Sequence, residues 1–265
     1  MGMMIHCGGK AVEIDELLTY EPPKPTKSYQ PVGHYELVTM AGKIANDMLK
    51  DYRFDHAKYA VAKEGNRMFG MLTYRSNDID PHQVPTLGLT NNSKYKDRDR
   101  SADLGLNIAI RNSYDKSMSV GMVMGATVFV CDNLALTGEI VIMRKHTTNV
   151  WEDLKDSMIT TIYKSQTNFP KIQEDANRMK NINITDDQAY EYMGLLYGHG
   201  LLRPRQLNHA ISEWKEPSYT AFQDSKNVWT LYNSITDSLK STPPDKIMQK
   251  HLDLHDETTK RFAIA

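Results

Sequence analysis

The sequence predicts an α+β protein, with an antiparallel β-sheet core in the first half followed by a helical second half. Three observations carry that expectation. Before His146, apolar residues alternate with small or polar ones, the period of a strand with one buried face. After His146 the apolar spacing changes to three and four residues, the period of a helix. The two kinds of segment are grouped instead of interleaved, which argues against βαβ units, and no internal repeat appears. Three regions follow: a proline-rich N-terminal arm at 1–33, an antiparallel sheet with a packed helix at 34–148, and a helical region at 149–265 packed on that sheet within one continuous domain.

The arm contains Pro22, Pro23, Pro25 and Pro31, which withhold backbone donors and favour extended geometry. Residues 36–52 read as a helix, because Leu37, Met40, Ala41, Ile44, Met48 and Leu49 form one apolar stripe. Residues 58–63 and 68–74 flank Glu64-Gly65-Asn66, where glycine supplies the positive φ that a tight hairpin turn needs. Residues 75–103 make a long polar loop, a functional candidate through its length. Leu104, Leu106, Ile108 and Ile110 then mark a strand, and Arg111 to Ser117 a turn. Residues 119–131 return, with Val120, Met122, Met124, Ala126, Val128 and Val130 on one face and Val123, Phe129 and Cys131 on the other. A shorter strand at 139–143 completes the sheet.

Beyond it, Trp151, Leu154, Met158, Ile162 and Phe169 make one helical stripe, with Pro170 marking a kink or break. Thr185-Asp186-Asp187-Gln188 matches a capping box, and the helix it opens stops near Gly198 and Gly200. Pro204 suits the first turn of a helix through Trp214. Residues 225–239 give another helix, with Trp229, Tyr232, Ile235 and Leu239 on its apolar side.

Composition narrows the function classes. With 32 basic against 33 acidic side chains, any nucleic-acid surface must be local. Two cysteines make no disulfide framework, 15 methionines suit a reducing interior, and no apolar run approaches a membrane span, so a cytoplasmic protein without membrane contact is expected. No glycine-rich phosphate loop is present, and no cofactor or metal is expected.

Several constellations admit two readings. Arg111, Asn112, Ser113, Asp115 and Lys116 can present a cation and hydrogen-bond donors to a phosphate, or can simply satisfy a turn. Cys131 with His146 invites a nucleophile reading, against that of a small buried residue ending an apolar strand. His251 and His255, four apart on a helix, have metal-ligand spacing within the composition of a solvated terminal helix. Lys94, Tyr95, Lys96, Arg98 and Arg100 interleave cations with a ring, as single-stranded nucleic-acid sites do, while Asp97 and Asp99 offset part of the charge.

The order Arg111-Asn112-Ser113-Tyr114-Asp115, Cys131-Asp132-Asn133-Leu134, Lys145-His146, then Trp229, Tyr232, Asn233 and Thr236, resembles a family of uncharacterised phage- and plasmid-encoded proteins known only as a domain of unknown function. The resemblance spans about residues 55 to 240 and implies a mobile-element protein whose relatives neighbour genes of DNA metabolism or defence. Sheet, long basic loop and arm together also look like the architecture of phage single-strand annealing proteins, a fold-level analogy. The expected function is non-enzymatic binding or annealing of single-stranded DNA by a homo-oligomer. In it the arm joins subunits, and Lys94, Tyr95, Lys96, Arg98, Arg100, Arg111, Asn112, Lys116, Arg144 and Lys145 line a groove. An inhibitor of a host defence system, a phage assembly protein, and a cysteine- or metal-dependent enzyme are the alternatives.

Overall fold

The computed structural model of the protein describes residues 9–77, 104–128, 133–219 and 222–264. Six strands form one antiparallel sheet whose spatial order is the sequence order: β1 (Lys10–Val12), β2 (Tyr52–Ala62), β3 (Arg67–Ser76), β4 (Leu104–Ser113), β5 (Val120–Val128) and β6 (Asn133–Arg144). Helix α1 (His34–Met48) precedes β2, and five helices follow β6: α2 (Val150–Asn181), α3 (Asp186–Gly198), α4 (Pro204–Lys215), α5 (Val228–Leu239) and α6 (Pro244–Arg261). The chain is α+β, sheet first and most helices after.

The β2–β3 hairpin turns at Lys63, Glu64 and Gly65, with φ of 52°, 56° and 87°. Gly65 is required twice over. Its backbone is left-handed, and a Cβ there would sit 1.9 Å from Cδ1 of Tyr20. Leu37, Val38, Ala41 and Ala45 of α1, with Leu154, Met158 and Ile162 of α2, share one core with Met68, Leu72, Ile108, Met122 and Met124 of the sheet. The opposite face of the sheet is buried as well: Phe69, Met71, Thr73, Asn107 and Val123 lie there, and Thr73 donates to Asn107 at 2.6 Å.

Several boundaries differ from those expected. β4 continues through Ser113, so Arg111 and Asn112 are strand residues and the turn begins at Tyr114. β6 is 12 residues long and not a short closing strand. α2 runs unbroken for 32 residues through Pro170. The reason is packing: Leu154, Met158, Ile162, Ser165, Phe169, Ile172, Ala176 and Met179 continue one buried stripe across the proline. That burial outweighs the ~3 kcal/mol a helical proline costs. The Thr185–Gln188 capping box and Pro204 at a helix start stand as expected.

Of residues 9–33, the described part of the arm, the two ends pack on the chain's own fold while 21–28 are exposed. β1 pairs with β2, a 3-10 turn at Ile14–Thr19 buries Leu17, and Tyr29 and Val32 are buried further along. In the second half, 11 of the 12 residues of α5 are buried, enclosed by α2, α4, α6 and β6.

Candidate functional site

The antiparallel register fixes which sequence-predicted residues meet. Arg67 pairs with Ser113, Met68 with Asn112, Arg111 with Gly121, and Val120 with Arg144. The ends of β4 and β6 and the starts of β3 and β5 therefore coincide, and Arg67, Arg111, Asn112, Lys116, Arg144, Lys145 and His146 gather at one end of the sheet. The pairings also divide them. Asn112 and Arg144 belong to the helix-covered face, where Arg144 donates to Ser157 of α2 at 2.9 Å. Arg111 belongs to the other face and donates to Ser119.

Beneath this cationic rim lies a buried polar network tying the N-terminal strap to the sheet. The Asn112 amide donates to the Val32 carbonyl at 2.6 Å and to Nδ1 of His34 at 3.0 Å. His34 Nε2 donates to the Gly65 carbonyl at 2.9 Å, so these partners select the Nε2–H tautomer. The backbone N–H of His34 donates to the Tyr114 hydroxyl at 2.9 Å, and that hydroxyl donates to the Tyr20 carbonyl. α1 has Gly33 at its N-cap and no side-chain cap of its own, so Tyr114 supplies the acceptor from across the fold. The His34 and Tyr114 rings stack at 3.8 Å. Alongside, Tyr29 lies between Lys116, 4.5 Å above its ring, and the His146 ring at 5.3 Å.

Burial, reinforced by the His146 charge and partly opposed by the Gly65 hydrogen bond, takes His34 down to about 4. A second proton would also face the donating Asn112 amide. Burial lowers His146 too, by more than the neighbouring Gln30 backbone raises it. Burial pushes the Tyr114 phenol up to about 12. All three stay neutral at pH 7, and the network is suited to holding the strap in place. Asp115 is held below the usual carboxylate range because hydrogen bonds from Ser117 and Arg67, and the Arg67 charge, outweigh its partial burial. It pairs with Arg67 at 2.9 Å. Among the described residues, neither Lys116 nor Lys145, both exposed, has a carboxylate in ion-pair reach.

Other expected residues fall elsewhere. Lys94, Tyr95, Lys96, Arg98, Arg100 and Cys131 lie outside the described residues. The flanks of the basic loop, Asn77 and Leu104, leave and enter the sheet at the end opposite Arg111, about 23 Å away along the seven residue steps from Leu104 to Arg111. His251 and His255 are buried instead of solvated, 1% and 5% exposed, with His255 3.4 Å from the Asp175 carboxylate and edge-on to Tyr232. No third donor joins them among the described residues. His34, Tyr29 and Tyr114 were not legible as site residues, because their partners come from segments distant in the chain and no local spacing announces them.

Fold and site define an α+β protein whose six-stranded meander carries a cationic end above a buried polar latch. Residues 25–261 match the model of a family described as "Domain of unknown function (DUF932)", and the chain belongs to that family. No curated protein and no solved structure matches it. No helix among the described residues is long and apolar enough to cross a membrane.

Proposed function

We propose that the chain is a non-enzymatic single-stranded nucleic-acid binding or annealing protein of a phage or other mobile element, working in the host cytoplasm. The observation that supports this is the cationic sheet end, where Arg111, Lys116, Arg144 and Lys145 converge from three segments and the one acid of the turn, Asp115, is already neutralised by Arg67. A polyanion crossing that rim meets cations on both faces of the sheet, which suits repeated phosphates more than a single small anion.

Four cations give weak binding alone, so useful affinity requires repetition of subunits along one strand. A groove of about 890 Å³ between α1 and α2, lined by Tyr35, Met40, Ile44, Met48 and Ile159, offers a surface for a second copy. Its rim carries Lys43 and Lys155 with Glu36 and Asp47, a mixed set that complements itself across a two-fold axis.

Fluorescently labelled oligo-dT titrated at several salt concentrations tests the proposal. Affinity should fall with salt, and Lys116→Ala with Lys145→Ala should flatten the slope by roughly 0.7 per lost phosphate contact. Salt-independent binding, or none at low salt, refutes it. Ile44→Glu should shift light scattering to a smaller species and weaken binding to long strands more than to short ones.

A further inference from the structure

We propose that His209, Glu213 and Asp237 form a zinc-binding site that links α4 to α5. His209 and Glu213 are four residues apart and share one face of α4, while Asp237 faces them from α5. One donor atom from each lies within 4.8 Å of the other two, and this is the group of three such donors that converges among the described residues. His209 Nε2 and Asp237 Oδ2 are 2.9 Å apart. Two ligands on a tetrahedral zinc with bonds of about 2.0–2.1 Å are separated by roughly 3.3 Å, so a shift of a few tenths of an ångström admits the ion between them.

Both carboxylates are already oriented by hydrogen bonds. Oε1 of Glu213 accepts from the Ser218 hydroxyl at 2.6 Å, and Oε2 from the Ser218 backbone N–H at 3.1 Å. Asp237 accepts from Lys240 through Oδ1, leaving Oδ2 turned toward His209. Such contacts orient metal-binding carboxylates, and each oxygen keeps a second lone pair for an ion. Two carboxylates against one ammonium leave the group net negative, which favours a dication. One imidazole with two carboxylates suits zinc better than the all-oxygen cations. The His209 side chain is 48% exposed, so an ion can enter and the fourth position opens to water.

The site is separate from the cationic sheet end and does not depend on what binds there. The test uses the full chain, stripped with chelator, desalted and titrated with zinc chloride by calorimetry. One saturable equivalent is expected, and His209→Ala and Glu213→Gln should each weaken it by more than about tenfold. His199→Ala, which removes an exposed histidine of the α3 C-terminus, should leave affinity unchanged. In parallel, excess zinc should raise the thermal unfolding midpoint of the wild-type chain and not that of His209→Ala. Glu213→Gln keeps side-chain shape, so it reports even if His209→Ala folds poorly. Absence of a saturable equivalent in the wild-type chain, or equal affinity in wild type, His209→Ala and Glu213→Gln, overturns the proposal.

Discussion

The sheet end and helix α5 both bury polar side chains at positions of the sequence motifs, yet they satisfy them in opposite ways. At the sheet end the hydrogen bonds join segments far apart in sequence: Asn112 to Val32 across 80 residues, and Tyr114 to Tyr20 across 94. In α5 they close within one turn. Asn233 donates to the Trp229 carbonyl, Ser234 to that of Thr230 and Thr236 to that of Asn233. A buried polar group bonded to its own helix keeps its partner wherever the helix goes, whereas one bonded to a distant segment fixes where that segment lies. Asn112 and Tyr114 thus position the strap, while Ser234 and Thr236 let a helix with polar residues be enclosed on all sides.

The sharpest way to break this contrast is Asn112→Leu. The substitution leaves the Val32 carbonyl and His34 Nδ1 as two buried acceptors without donors, at about 1–3 kcal/mol each, so a loss of about 4 kcal/mol is expected in urea unfolding. A loss under about 1 kcal/mol would mean that the strap does not depend on the latch.

Acidification tests the same latch with the covalent structure intact. His34 binds its proton near 6.5 when unfolded and about 4 when folded, so the unfolded state takes up more protons between those values. Stability is full above about pH 6.5 and declines as pH falls toward 4, by on the order of 3 kcal/mol from this group. The lowered His146 adds to the loss in the same direction. Unfolding followed from pH 7 to 4.5 should show the decline in the wild-type chain and a shallower one in His34→Gln. Equal slopes would remove His34 from the account.

The sequence conveyed the α+β class because period and grouping are local properties: alternation at residues 104–110, the Gly65 turn and the Thr185–Gln188 capping box each depend on a few neighbouring residues. Of the kink or break expected at Pro170, the break does not occur, for the converse reason. Its local penalty is visible in the sequence, while the buried stripe from Leu154 to Met179 that overrides it is tertiary. The cationic residues Arg111, Lys116, Arg144 and Lys145 were identifiable singly, but only the strand register places them at one end and assigns Arg111 and Arg144 to opposite faces. His34 carried no signal at all: its three polar partners, Gly65, Asn112 and Tyr114, belong to two later hairpin and strand segments. His209 and Glu213 differ, since their four-residue spacing on a predicted helix was a readable cue, and only Asp237 required the fold.

The smallest expected effect is in α5. Ser234→Ala removes a donor whose acceptor, the Thr230 carbonyl, sits in a helical turn where the backbone N–H of residue 234 also points. That carbonyl is left without a second donor but not orphaned, and alanine raises helix propensity by a few tenths of a kcal/mol. Against this stand the lost contacts of a small buried side chain. The net loss should be about 1 kcal/mol or less, read as a small shift of the urea midpoint with unchanged m-value. If Ser234→Ala instead costs as much as Asn112→Leu, the hydroxyl of Ser234 is holding something beyond its own helix, and the distinction between the two regions fails at the position where it is easiest to measure.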